Sequence, residues 1–452
     1  MISLDAESAR NWALRSRRVF TPEGERPATI MITGDQIAAI LPHDSATPNV
    51  PLVDVGDAAI LPGLVDVHVH INEPGRTEWE GFATATRAAA AGGITTLVDM
   101  PLNSSPVTTT VAALRAKQRA AEGQLWVDCG FHGGVIPGNA DDIRPLIDAG
   151  VCGFKAFLCD SGIDEFPPVT ADDLNAAMPI IAAAGLPLLV HAEIAQPLPP
   201  GTRERLAAEP RSYAAWMALR PPDWEVAAIR LLIELSDRHR CPVHVVHLSA
   251  GMESLPLLTA ARERGTLMTV ETCPHYLNFA AEEILDGDPR FKCAPPIREA
   301  RQRDRLREAL RRGEIDIVAS DHSPAPPMLK RLDDGNLAEA WGGIASLQLL
   351  FPAAWKFAGL APLTSRPAAL AGIAGRKGAI SVGNDADLVV VDLGARFTVA
   401  PELLCDRHRV TPYLGRELQG RVLTTILRGQ PVFNEGRFLG RPRGQILERL
   451  RP

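Results

Sequence analysis

Eight short apolar runs alternating with helical segments, together with two hairpin-rich ends, predict an α/β fold: a (β/α)₈ TIM-like barrel with a small β-rich domain formed from both termini. The runs are 59–70 (AILPGLVDVHVH), 93–100, 125–132, 150–158, 186–193, 242–249, 266–273 and 315–322. Each is close to continuous in apolar residues, the pattern of strands covered on both faces, and most close on a polar or charged side chain. Between them lie alanine- and leucine-rich stretches with helical periodicity, at 78–91, 171–184, 223–239 and 302–312.

The ends follow a different rule. Residues 28–56 and 380–439 carry short runs broken by GD, GND and RGQ turns, which read as hairpins rather than strand–helix–strand units. The expected domains are therefore 1–57 and 371–452, the two parts of the small β domain, flanking a barrel at 58–370.

Bulk properties narrow the function classes. A net charge of −7 leaves no basic footprint for nucleic acid and suits a small-molecule ligand. No stretch reaches the 18 or so apolar residues of a membrane span, and the first twenty residues contain no continuous apolar region of a secretory leader. Seven scattered cysteines without paired spacing argue against a disulfide framework or a cysteine zinc site. The expected compartment is the cytoplasm.

Histidine placement carries the chemistry. His68 and His70 stand two apart on the first barrel run, so both imidazoles share one strand face. His191 closes the fifth run and His247 the sixth; Asp321 shares parity with Ile315, Ile317 and Ala319 in the eighth. Lys155 sits in the fourth run between Phe154 and Ala156, where an ammonium is costly unless its charge is removed or paired. All six are expected at the C-terminal ends of the strands, the face on which barrel enzymes build active sites. A protonated lysine beside two divalent cations has no lone pair to offer. Reaction of its neutral amine with carbon dioxide gives a carbamate with two oxygens that can bridge both. Two such cations bring four positive charges; the carbamate, Asp321 and one hydroxide return three, and the residual charge suits an amide oxyanion.

The stretches DVHVHINEPGRTEWEGF (66–82), GFKAFL (153–158), VHAE (190–193), VHLSA (246–250), ETCPHY (271–276) and ASDHSP (319–324) resemble the cyclic amidohydrolases, the family of dihydroorotases, hydantoinases and allantoinases. The resemblance spans nearly the whole chain in order. It implies that His68, His70 and Asp321 hold one metal, that His191 and His247 hold the other, and that N6-carboxylated Lys155 bridges them. Zinc suits such ligands, with cobalt, manganese or iron as substitutes. The resemblance further implies a homotetramer, and Asp321 as the catalytic residue that takes a proton from the attacking hydroxide and returns it to the leaving ring nitrogen.

Within the family, dihydroorotases resemble HxHxREPG, whose arginine grips a substrate carboxylate. Here Asn72 holds that place, which suits a neutral ring, and FLCDSGIDEF (157–166) and HRVTPYLGRELQG (408–420) resemble allantoinases. The implied reaction is hydrolytic opening of allantoin to allantoate, in purine catabolism. Ala294 and Gly342 stand where relatives carry serine and asparagine; substrate contact through the main chain changes little at either, whereas a contribution from the missing serine hydroxyl at Ala294 lowers affinity. The alternatives are a hydantoinase, dihydropyrimidinase or dihydroorotase-like hydrolase, a metal-free barrel scaffold, and a site that binds without turnover. His244 is expected to face helices, because its parity is opposite to that of His247. His322, His132 and His275 are expected in structural or loop roles. Arg76 and Glu78 read as loop charges, and Cys159 and Cys293 as packing.

Overall fold

The computed structural model describes residues 11–47 and 50–449; the first half of the segment read above for a leader lies outside them. At the N-terminus β1 (Asn11–Thr21), β2 (Gly24–Thr33) and β3 (Gln36–Pro42) form an antiparallel meander, with β4 (Leu52–Asp54) parallel to β1. Sequence reading passes over β1 because Arg15, Arg17 and Arg18 interrupt its apolar pattern, yet Trp12, Leu14 and Val19 are buried.

The first apolar run then divides between two sheets. β5 (Ala59–Pro62) pairs with the β domain, and β6 (Leu64–Val69) enters the barrel. Gly63 is the crossing point: a Cβ there would meet the Thr95 hydroxyl at 2.1 Å.

The barrel continues through β7 (Ile94–Asp99), β8 (Asp128–Phe131), β9 (Gly133–Gly134), β10 (Phe154–Phe157), β11 (Leu188–His191), β12 (Val243–Val245), β13 (Met268–Thr272) and β14 (Ile317–Val318), all parallel. β8 and β9 are one strand interrupted at His132, pairing with β7 below and β10 above, so eight staves surround the barrel axis. The seam closes where the His70 N–H donates to the His322 carbonyl (2.8 Å) and Asp66 accepts the Ser320 N–H (3.3 Å).

Cross-strand register fixes which side chains fill the interior. Lys155 lies beside Leu189, Leu189 beside His244, and His244 beside Thr269, so these four share one inward layer. Phe154, Ala156, Leu188, Val190, Val243 and Val245 alternate outward into the core beneath the helices. Those helices include Ala171–Ala183, Pro222–His239 and Ala300–Arg312, within a residue or two of expectation. The segment expected to turn helical from residue 78 does so only at Phe82, whose N–H is capped by Glu73 Oε2 at 2.8 Å.

The C-terminal strands β15 (Leu388–Thr398), β16 (Glu417–Leu427), β17 (Gln430–Asn434) and β18 (Arg437–Phe438) add antiparallel to β5, so both ends of the chain build one nine-stranded sheet. A buried charge cluster joins this sheet to the barrel. Lys377 Nζ reaches Asp128 (2.6 Å), Asp387 (2.7 Å) and Asp385 (2.9 Å), and Arg428 also pairs with Asp128. Beyond the sheet the chain returns to the barrel, where the Leu447 N–H donates to the Cys129 carbonyl at 2.9 Å.

Candidate metal centre and active site

A cavity of about 280 Å³ opens at the C-terminal ends of the barrel strands, and His68, His70, Lys155, His191, His247 and Asp321 all line it. Asp321 Oδ1 lies 3.2 Å from His68 Nε2 and 3.5 Å from His70 Nε2. The ring centroids of His68 and His247 are 5.5 Å apart, and those of His191 and His247 4.5 Å. Residues separated by up to 253 positions in the sequence thus converge on one small volume.

Local backbone makes this convergence possible. β12 ends at Val245, and His247 turns inward through a φ of 40°. That break in alternation overturns the expectation for His244. Strand parity projected from His247 sends His244 toward the helices, whereas the structure places it inside, with Nε2 3.0 Å from Glu271 Oε2 and Nδ1 2.8 Å from Thr269 Oγ1. Asp321 (φ 46°) and Asn72 (φ 66°) also occupy the left-handed region. Non-glycine residues hold that conformation at a cost of roughly 1–3 kcal/mol each, and such strain gathers at functional sites.

Two of the candidate donors are buried without a partner. Lys155 Nζ is fully buried without a hydrogen-bond partner, and burial pushes its pKa down to about 8. His247 Nδ1 is buried and unpartnered too. Burial raises the Asp321 carboxyl, but His68 and His70 outweigh it and hold the group at about 2. The histidine–aspartate group His68, His70 and Asp321 is one of three clusters, among the described residues, able to hold a metal ion. The others are Cys159–His191–Glu193 and Cys273–His275–Asp321.

Two carboxylates behind the histidines escaped the sequence reading. Glu271 Oε1 contacts His68 Nδ1 at 2.5 Å, and Glu193 Oε2 contacts His191 Nε2 at 2.7 Å while pairing with Arg220. Burial raises both carboxyls; His68 and His244 pull Glu271 below its ordinary value, and Arg220 and His191 do the same for Glu193. The available signal was an acid inside an apolar run, which needs a buried partner. In VHAE that acid also follows the histidine by two, on the same strand face.

The substrate-side residues divide. Ala294 and Gly342 line the cavity, and a Cβ on Gly342 would find nothing nearer than 3.9 Å. Asn72 does not line it. Its Oδ1 accepts from Asn103 Nδ2 (3.2 Å), and Asn103 faces the cavity. Arg76 reaches the Asn103 carbonyl (2.7 Å) and Glu165 (3.0 Å), and Trp79 packs edge-on against Trp341 at 4.8 Å. Glu78 lends its carbonyl to His408 (2.7 Å). His322 Nδ1 accepts the Ser346 N–H (3.2 Å), His132 Nε2 bonds the Val67 carbonyl (3.1 Å), and His275 is buried with neither ring nitrogen partnered. Cys293 lines the cavity, while Cys159 does not and lies beside Arg220.

The amidohydrolase family profile matches residues 59–432. The chain belongs to the amidohydrolase family. This amidohydrolase is 49% identical, over 96% of its length and 98% of the relative's, to the allantoinase of Streptomyces avermitilis. It is 44% identical to the allantoinase of Arabidopsis thaliana, covering 94% of this chain and 88% of that one. Among solved structures it is similar to the L-hydantoinase (dihydropyrimidinase) from Arthrobacter aurescens, with a TM-score of 0.90 at 30% identity, covering 96% of this chain and 99% of that one. Among the described residues of the amidohydrolase, no helix is long and apolar enough to cross a membrane.

Proposed function

We propose that this amidohydrolase is an allantoinase, opening the hydantoin ring of allantoin to allantoate by hydrolysis in purine catabolism. The observation that carries the reading is the convergence of four histidines, Asp321 and unpartnered Lys155 on one cavity, in a chain 49% identical to an allantoinase over 96% of its length.

The donor set fits two divalent cations. His68, His70 and Asp321 would hold one and His191 and His247 the other, with N6-carboxylated Lys155 between them. Burial keeps the Lys155 amine near 8, so its neutral form, which adds carbon dioxide, is populated around pH 7 to 8. Histidine-rich sites suit zinc. Bound there, the cations supply Lewis acidity to the scissile carbonyl and acidity to the attacking water.

The chain's own residues do the rest. Glu271 and Glu193 orient His68 and His191. Asp321, held anionic, takes the proton of the attacking water and hands it to the ring nitrogen as the carbon–nitrogen bond breaks. The main chain at Ala294 and Gly342, with Asn103, forms the wall that orients the ring. A cytoplasmic homotetramer completes the proposal.

Turnover of allantoin, hydantoin and dihydroorotate, measured side by side with metal content, tests it. Allantoin should be hydrolysed at least about tenfold faster per unit kcat/KM than either rival, with two metals bound per chain. Preference for hydantoin would reassign the substrate, and a metal-free, inert preparation that no added metal restores would make the barrel a scaffold.

A further inference from the structure

Two lysines near the cavity are spent on main-chain carbonyls. Lys292 and Lys330 are 6% and 2% exposed, and among the described residues neither forms an ion pair. Lys292 Nζ donates to the Ala340 carbonyl at 2.5 Å and lies 4.3 Å from the Trp216 ring centroid. Lys330 Nζ donates to the Gly343 carbonyl. The Lys292 carbonyl in turn accepts the Gly343 N–H at 2.8 Å, and the Trp341 N–H donates to Leu329 O at 2.8 Å.

These contacts bracket Trp341 and Gly342 on both sides. Ala340, Trp341, Gly342 and Gly343 all line the cavity, as do Lys292, Cys293 and Ala294 opposite. The next residue, Ile344, accepts the Ser323 N–H at 3.0 Å, two residues beyond Asp321. The 340–344 segment therefore links the Ala294 wall to the metal-ligand strand end. Its glycine is fixed in place: a Cβ at Gly343 would meet the Ser323 carbonyl at 2.3 Å. Burying two cations without counter-ions is expensive, and burial pushes Lys292 down to about 8 and Lys330 to about 7. Solvated lysines would avoid that cost, so the carbonyl contacts must offset it.

We propose that Lys292 and Lys330 are positioning residues for substrate: by pinning the Ala340 and Gly343 carbonyls they hold the Gly342 main chain beside the 292–294 wall and keep Trp341 at the cavity rim. The proposal rests on the reading that this cavity takes a cyclic amide.

Lys292→Met and Lys330→Met, which keep the stems and remove the donors, test the clamp in the full-length, metal-loaded protein. KM for allantoin should rise about tenfold, kcat should change less than about threefold, and metal content should match the parent. Hydrogen exchange across residues 338–345 should accelerate about tenfold in both variants. Unchanged KM and exchange in folded variants would overturn the proposal, as would metal loss in step with KM, which would assign the lysines to the fold instead. A parent that leaves allantoin intact sinks the substrate reading alone, and exchange across 338–345 then decides the clamp. If a methionine variant does not fold, K292L and K330L, which also lack a donor, are put through the same measurements.

Discussion

Nδ1 of His68 donates a 2.5 Å hydrogen bond to Oε1 of Glu271, which leaves the Nε2 lone pair facing Asp321 and the cavity. The same carboxylate reaches His244 through Oε2 at 3.0 Å and accepts the His247 N–H at 3.2 Å. One acid thus fixes two histidines proposed as ligands to different cations. Glu271→Gln keeps the shape but removes the charge and one acceptor. Metal affinity should fall roughly 10–100-fold, with activity recovering at high added metal. Equal affinity in mutant and parent would show that the contact does not orient His68.

Lys155→Ala should strip the centre. Neither of its register neighbours, Leu189 and Gly134, offers a side-chain oxygen in its place. The several kcal/mol of carbonyl polarisation that metal supplies would go with it, a loss of roughly a thousandfold or more in kcat. Metal analysis and steady-state kinetics check this together. A variant retaining two metals and parental turnover would remove Lys155 from the centre.

Asn72 acts at one remove. Its side chain stops at Asn103, and its backbone is left-handed. Asn72→Gly keeps that backbone and deletes the amide, whereas Asn72→Ala also adds about 1–2 kcal/mol of conformational strain. KM should rise in both, and the melting temperature should fall more in the alanine variant. A rise in KM confined to alanine would assign the residue to backbone geometry alone.

The barrel was legible because burial on both strand faces forces apolar runs, and the six side chains that meet at the cavity were legible because a polar side chain ending such a run has to be justified. Both signals are local. Where the chain departs from regular strand geometry, they fail. Gly63 sends half of one continuous run into a different sheet, and His247 reaches the cavity only through a positive φ, so parity misplaced His244. Glu271 was hidden differently, since its partners His68 and His244 lie on other strands that sequence spacing does not connect; Glu193 did leave a signal two residues from His191, and only its pairing with Arg220 lay beyond sequence spacing. Asn72 shows the same limit, because its place in the motif says nothing of the Asn103 side chain standing between it and the cavity.

Lys377 makes the sharpest test of how the two halves are joined. It is 1% exposed amid Asp128, Asp385 and Asp387, and Arg428 shares Asp128. Burial lowers its pKa, but Asp387, Asp128 and Asp385 together carry it above the ordinary 10.5. A lysine raised on folding contributes stability that is fully present below its unfolded value and is lost as pH climbs through the folded one. Lys377→Met leaves Asp387 with the Arg428 N–H (2.8 Å) as its remaining hydrogen bond of the cluster, so removal should cost about 3–5 kcal/mol at pH 8. The gap between parent and variant should hold level toward pH 10 and shrink only above 10.5, where the lysine of the unfolded parent loses its proton while the folded one, held by the aspartates, keeps it. Urea unfolding across that range gives the curve. A gap that is absent at pH 8, or that widens above 10.5, would mean that the cluster does not hold the β domain to the barrel through this charge.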